Sequence, residues 1–239
     1  MAVYYKTKGF VLNKIDRNEA DRLYIVYTKD FGKIEVLGRA IRKIKSKLRS
    51  GIDIFYLSEV EFIQGKIYKT LTDALLNERF INIRRSLNKL EIAKKISEAV
   101  DDFTTKEGKD EEIFNLLNIV FNKLNTIKED NENKLEIIYY YFIWNLLSIL
   151  GYEIDLYRCV ICNRMLPVLK LYFSPEEGGI ICPIHMNLRQ KMDISPDIIK
   201  ILRIILRNNL NTLLRVKITR QHINEIKLIS DAYFYFYKP

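Results

Sequence analysis

The chain has 239 residues, of which 48% are apolar, so it can bury at least one sizeable core. No apolar run is long enough to span a membrane, and the start from Met1 to Lys6 lacks the charged-then-apolar order of an export signal. The net charge of +9 favours a polyanionic partner, and together these features predict a globular cytoplasmic protein.

The charge is unevenly distributed along the chain. Residues 1–80 carry 16 basic and 10 acidic side chains, residues 81–158 carry 11 and 14, and residues 159–239 carry 12 and 6. The basic ends can therefore meet a polyanion, while the acidic middle is suited to packing or to protein contacts.

Short strands are predicted before residue 76. Residues 23, 25 and 27 alternate with 24 and 26, and in 59–63 Val60 and Phe62 alternate with Glu59 and Glu61, as a half-buried sheet requires. Turn residues join the first run to 33–37 and the second to 67–71, and an opening run lies near 9–15. Five short strands in this length fit a small closed barrel such as an OB-fold, which commonly carries single-stranded nucleic acid.

A basic loop is predicted between Gly38 and Gly51, where the chain has six cations and no acid. Cations that lie along a nucleic-acid backbone release its condensed counterions. The resulting affinity depends on salt concentration and varies little with base sequence. The alternative is an ordinary solvated loop. The cations are Arg39, Arg42, Lys43, Lys45, Lys47 and Arg49.

Many aromatic residues lie in the same stretch of predicted strands. Most of them must fill the interior of the barrel, because a small barrel needs large side chains to close its core. Tyr24 and Phe31 are the candidates for stacking on nucleic-acid bases.

Helices follow the barrel. Apolar residues recur every three or four positions in 113–124 and 135–149, and Gly151 is placed to end the second of these helices. Ser195, followed by a proline, predicts the start of another helix, and a last helix is expected near 219–235. A helical domain is therefore expected over 81–239, after a barrel domain over 1–80.

Four candidate metal ligands interrupt the helical domain. The pairs Cys159 with Cys162 and Cys182 with His185 use every cysteine in the chain. Each two-residue spacer lets both ligands of a pair face one ion, and two pairs complete the tetrahedral shell that Zn²⁺ prefers. The pattern predicts a zinc module at about 156–190, with a short strand at 171–174. Four protein ligands leave no position for an activated water, so the zinc would be structural.

The same residues allow other chemistry. A redox pair at Cys159 and Cys162 would need neither Cys182 nor a histidine, and an odd cysteine count suits disulfides poorly. A zinc hydrolase or nuclease would need an open coordination site and a nearby carboxylate, for which Glu176 and Glu177 are the obvious candidates. His222, the only other histidine, is expected at the surface or in packing.

The order of these features resembles the RecO family of bacterial recombination mediators over essentially the whole chain. The resemblance is carried by 18–23, by 28–33 and by 38–48 in the barrel. It continues with 150–152 before the first cysteine pair and with Phe173 and the two glycines at 178–179 before the second pair. The implied fold class is α+β and multi-domain: a five-stranded OB-fold barrel, then an all-α domain with an inserted zinc-finger module.

The resemblance also implies a function without catalytic residues. Such a protein binds single- and double-stranded DNA, anneals complementary strands, and with RecR helps RecA to displace single-strand-binding protein, in the bacterial cytoplasm at the nucleoid. The single-strand-binding protein's tail would be received by the helical domain. By position in the family pattern the DNA face would carry Arg39, Arg42, Lys43, Lys45 and Lys47, with Arg22 and Lys33 as weaker candidates.

This chain departs from the family pattern at the fourth metal ligand. Metal-bearing relatives usually have cysteine where this chain has His185, and other relatives lack the metal ligands. Histidine is an acceptable zinc ligand.

A rival function is that of a zinc-bearing RNA-binding or ribosome-associated factor. A basic barrel attracts RNA through the same negative charge of the nucleic-acid backbone.

Overall fold

The computed structural model describes residues 3–128, 131–167, 170–185, 191–207 and 209–238. The chain forms two compact units, Met1–Lys128 and Glu129–Pro239, and each is described by itself. Residues 168–169 and 186–190 of the expected zinc module lie outside the described residues.

The first unit begins with a closed five-stranded barrel, as the sequence predicts. The order around the barrel is β1-β2-β3-β5-β4, with antiparallel pairing everywhere except between β3 and β5, which are parallel. The first and last strands are longer than expected. The strands are β1 (Tyr4–Arg17), β2 (Asp21–Thr28), β3 (Gly32–Gly38), β4 (Leu57–Ile63) and β5 (Lys69–Glu78).

The barrel interior takes alternate residues of β3 and β4, because their side chains point inward and outward in turn. In β2, by contrast, all six residues from Leu23 to Thr28 are buried. The expectation that Tyr24 could stack on bases is therefore wrong, since its side chain is only 1% exposed and packs in the core. Phe31 is half-buried and packs edge-on against Tyr5 and Phe62, at centroid distances of 5.7 and 5.6 Å.

Three helices complete the first unit: α1 (Ile81–Arg84), α2 (Leu87–Phe103) and α3 (Glu111–Thr126). The third confirms the helical spacing at 113–124. An aromatic cluster joins them to the barrel, where Phe10 of β1 lies 5.3 Å from both Phe114 and Phe121 of α3. The helix α2 was not among the predicted elements.

A close backbone approach fixes the end of the basic loop. A Cβ added to Gly51 would lie 1.8 Å from the carbonyl oxygen of Ala74 on β5, so only glycine fits there. The Gly51 carbonyl also accepts a hydrogen bond from the buried Ser58 hydroxyl at 2.7 Å. These contacts hold the loop's last residues against β4 and β5.

The second unit consists of helices with a small three-stranded antiparallel sheet in the order β7-β6-β8. Gly151 (φ +89°) follows α4 and Ser195 caps α5, as predicted; α7 begins near the expected residue, and Thr219 is its cap. His222 is half-exposed and completes the cap of α7. The elements are α4 (Glu132–Ile149), β6 (Leu171–Ser174), β7 (Gly179–Ile181), β8 (Met192–Ile194), α5 (Pro196–Leu206), α6 (Leu210–Leu213) and α7 (Arg220–Tyr237).

The small sheet is attached to the helices through aromatic packing. Phe173 of β6 lies 6.2 Å from Trp144 of α4 and 5.5 Å from Tyr233 of α7, and the last two rings are stacked. The Trp144 indole donates to the Ser230 hydroxyl at 2.9 Å, so its polar edge is satisfied inside the core. The inserted segment is thus fixed to the helical core of its own unit. Within the described part of the chain, no helix combines the length and apolar character that crossing a bilayer requires.

Candidate functional site: metal centre and nucleic-acid interface

The four predicted ligands are brought together in the second unit. The ligand atoms of Cys159, Cys162, Cys182 and His185 all lie within 4.8 Å of one another. The Cys162 and Cys182 sulfurs are 3.9 Å apart, and the His185 Nδ1 lies 3.3 Å from the Cys182 sulfur and 3.7 Å from that of Cys159. Tetrahedral zinc–sulfur bonds of about 2.3 Å would place sulfurs about 3.8 Å apart. The arrangement is compatible with a metal site.

Local hydrogen bonds shape each ligand pair. In the first, the Cys159 N–H donates to the Arg164 carbonyl (2.9 Å) and the Asn163 N–H donates to the Cys159 carbonyl (2.8 Å). In the second, the His185 N–H donates to the Cys182 carbonyl at 3.0 Å, directly after β7. The bonds to the Cys159 and Cys182 carbonyls each close a tight turn, and the ligand atoms of the two pairs converge.

The surroundings of the cysteines favour thiolate at one position. Burial acts to raise the pKa of the Cys159 thiol, but N–H groups of Cys162, Cys182 and Ile161 outweigh it and lower that pKa to about 6. Burial, together with the neighbouring Cys159 and Cys162, raises the pKa of Cys182. A divalent cation would offset this crowding of thiols, because it binds the deprotonated form. Glu176 and Glu177 are exposed and do not belong to the cluster.

The basic loop, residues 39–50, runs from the end of β3 toward β4. Its apolar anchors are Ile41, which is buried, and Leu48, which packs against the barrel core. All six predicted cations of the loop are exposed. Among the described residues, no ion pair involves Arg39, Lys43, Lys45, Lys47 or Arg49. The loop therefore presents these five exposed cations to solvent, while Ile41 and Leu48 fix it to the barrel.

The turn between β1 and β2 holds the start of this loop. The Asp21 carboxylate accepts a hydrogen bond from the Ala40 N–H at 2.7 Å, and the Arg42 N–H donates to the Ala20 carbonyl at 3.0 Å. Ala40 adopts a left-handed backbone (φ +51°), which a non-glycine residue adopts only where its surroundings hold it. The turn and the loop thus form one polar surface beside the barrel.

The remaining candidates are engaged within the protein. Arg22 pairs with Asp16 at 2.6 Å, and Arg42 reaches the same carboxylate at 3.5 Å. Lys33 is 11% exposed and pairs with Asp101 at 2.8 Å, where it also donates to the backbone carbonyl of that residue. Arg22 thus lies beside the loop and Arg42 within it, whereas Lys33 joins the barrel to the end of α2.

Sequence reasoning missed the acidic partners of this surface. Asp16 pairs with Arg22, and Asp21 accepts the Ala40 N–H. Of the two, only Asp21 lies in the stretch from Asn18 to Leu23 that carries the family resemblance. Ile44, at the centre of the loop, was also overlooked although it is 93% exposed.

Comparisons with known proteins match both halves of the chain. Residues 1–80 match the family description "Recombination protein O N terminal", and residues 84–237 match "Recombination protein O C terminal". A protein named DNA repair protein RecO from Dehalococcoides mccartyi is 35% identical over 95% of this chain and 88% of its own length. The chain belongs to the RecO family. Proteins of the same name from Desulforamulus reducens and Acetivibrio thermocellus are both 27% identical, over 98% and 96% of this chain and 89% and 90% of their own lengths.

The N-terminal family match covers the barrel, whereas the C-terminal match covers α2 and α3 of the first unit as well as the second unit. The RecO N-terminal match ends at residue 80, two residues after β5, and the C-terminal match includes all four clustered ligands. As a RecO family member, the chain is a protein of DNA repair and recombination.

Proposed function

We propose that this protein is a recombination mediator that binds single- and double-stranded DNA through the basic loop and anneals complementary strands. The observation that carries the proposal is the set of five exposed cations, at 39, 43, 45, 47 and 49, which lack ion-pair partners among the described residues. Arg42 is the sixth cation of the loop, and Arg22 extends this surface onto β2. Lys33, by its burial and its ion pair, would contribute little.

Annealing follows from the same charges. Two strands repel through their phosphates, and a cationic surface that neutralises some phosphates on each strand lowers this repulsion. Binding by backbone charge alone reads little sequence, so any pair of complementary strands can be a substrate. No catalytic residue is needed, and we propose that the protein is not an enzyme.

The proposed partners follow from membership of the RecO family. We infer that the protein acts in the cytoplasm, at the bacterial nucleoid, together with RecR, single-strand-binding protein and the RecA pathway. The mediator would help RecA onto DNA coated by single-strand-binding protein.

We propose that the metal is a structural Zn²⁺ held by Cys159, Cys162, Cys182 and His185. When bound, the ion would supply cross-linking and no reaction chemistry, because four protein ligands fill a tetrahedral shell. The cysteines and histidine join the segment after α4 to β7, and the ion would stabilise a region that is too short to own a large core.

A strand-annealing assay tests the central proposal. Two complementary oligonucleotides, one carrying a fluorophore and the other a quencher, are mixed with and without the zinc-loaded protein. Acceleration that weakens steeply with added salt is expected, because phosphate contacts release counterions. A competition series with structured RNA distinguishes the RNA-binding alternative. Strong preference for the RNA, without DNA annealing, would overturn the proposal.

A further inference from the structure

The basic loop carries one apolar side chain that the barrel does not bury. Ile41 and Ile52 are each 1% exposed, and Leu48 packs against the core. Ile44 is instead 93% exposed, the largest exposed fraction among the large apolar residues described. A single exposed isoleucine is common on protein surfaces, so its exposure alone does not indicate a function, and its position in the loop matters.

Hydrogen bonds hold Ile44 at the tip of the loop. The Lys43 N–H donates to the Ala40 carbonyl at 3.1 Å, and the Ser46 N–H donates to the Lys43 carbonyl at 3.0 Å. The second bond closes a β-turn in which Ile44 and Lys45 are the central residues. Because the loop is anchored before and after this turn by Ile41 and Leu48, the Ile44 side chain is held away from the barrel.

The charges around Ile44 indicate what it meets. Its neighbours Arg42, Lys43 and Lys45 are exposed cations that attract a phosphate backbone. Such contacts position the phosphate backbone of a strand. They do not sense whether its bases are stacked in a duplex or unstacked in a single strand. An apolar side chain set among these cations would meet the bases of a strand whose phosphates they bind, and aliphatic side chains do insert between base steps in other proteins.

We propose that Ile44 is a specificity-determining residue that packs against the faces of unstacked bases and so favours single-stranded over double-stranded DNA. The inference rests on the proposed DNA binding and deepens it. In duplex DNA the base faces are covered by stacking, and the side chain would contact only the groove edge. In a single strand it would bury most of its apolar surface between two bases.

The test compares Ile44→Ser with a charge-neutral control on the same barrel. Leu75 of β5 is 61% exposed and lies directly opposite Glu59 of β4, where an acidic neighbour disfavours DNA. Affinities for a labelled single strand and for the matching duplex are measured at several salt concentrations. Ile44→Ser is expected to weaken single-strand binding about fivefold, with little effect on duplex and an unchanged salt slope. Leu75→Ser should change neither affinity, and Ile44→Leu should behave as wild type.

A second readout follows the bases directly. 2-Aminopurine in the single strand brightens when it unstacks, so wild type should raise its fluorescence and Ile44→Ser should not. Equal affinity losses on both DNA forms, or an unchanged single-strand to duplex ratio in Ile44→Ser, would overturn the inference alone. Failure of wild type to bind either DNA would instead overturn the proposed function.

Discussion

Asp21 and Ala40 join the β1–β2 turn to the basic loop, because the Asp21 Oδ1 accepts the Ala40 N–H at 2.7 Å. This hydrogen bond, followed by one from the Asn18 side chain, lowers the pKa of the Asp21 carboxyl group below its usual value. The carboxylate is therefore ionised at neutral pH, and it adds a negative charge to a surface that is proposed to bind an anion. The same carboxylate has a structural use, because its hydrogen bond holds the start of the basic loop.

The first prediction is that loss of the Asp21 carboxylate weakens DNA binding. Asp21→Ala removes a negative charge, which alone would strengthen DNA binding, but it also frees the start of the loop. We expect single-strand affinity to fall about threefold to tenfold, because a disordered loop must be ordered again on binding. Fluorescence anisotropy with a labelled oligonucleotide measures the change.

The control for Asp21→Ala is Glu19→Gln, which removes the same charge from an exposed residue of the same turn. It should leave binding unchanged or slightly tighter. If Asp21→Ala tightens binding as much as Glu19→Gln does, then the hydrogen bond does not organise the loop.

The second prediction separates the two histidines of the chain. His185→Ala should lose most of the bound zinc, and the region from 159 to 185 should exchange its amide hydrogens faster, because the metal shell is incomplete. His222→Ala should keep its zinc, since this residue caps α7. Elemental analysis gives the metal content, and Cys159→Ser should repeat the His185→Ala result with the barrel still folded. Stoichiometric zinc in Cys159→Ser would refute the ligand assignment.

The third prediction is a pH dependence of stability at Asp53. Its carboxylate pairs with Lys14 at 2.5 Å and Arg84 at 2.8 Å. Burial acts to raise the pKa of Asp53, but these hydrogen bonds and the Ile54 N–H outweigh it and lower that pKa below 3.8. Because the folded-state pKa is the lower one, the stabilisation is complete above the unfolded-state pKa and is lost as pH falls through the folded-state value.

Asp53→Asn tests this dependence directly. At neutral pH the variant should lose about 1–3 kcal/mol of unfolding free energy, since two cations lose a charged partner. The difference from wild type should shrink as pH falls below about 4, and urea titrations across this range measure it. A difference that stays constant down to about pH 3 would contradict the assignment.

Local patterns account for what the sequence could predict. Alternation and turn residues predicted the five strands, and Ser195 with the proline after it predicted the start of α5. The metal ligands could be found because each pair is closed by a tight turn within a few residues. The exposed cations of the basic loop followed from a segment without a single acid.

Long-range packing accounts for what the sequence could not predict. Lys33 was a candidate for DNA, but its partner Asp101 is 68 residues away, and no local pattern connects them. Tyr24 was a candidate for stacking on bases, yet β2 is buried from Leu23 to Thr28. In the sequence, Ile44 does not differ from the other apolar residues of the loop. Only the structure shows that Ile41 is buried and Leu48 packs against the barrel core, while Ile44 points to solvent.

The most direct measurement of the central claim is the salt dependence of single-strand binding by a variant with Arg42, Lys43, Lys45 and Lys47 changed to Gln. The matched control changes four exposed lysines on helices, Lys94, Lys95, Lys200 and Lys227, to Gln and has the same net charge. The loop variant should lose most of its annealing activity, and the slope of log affinity against log salt should become shallower by up to about 3. The control should keep the wild-type slope. A folded loop variant with wild-type affinity, slope and annealing would contradict the account.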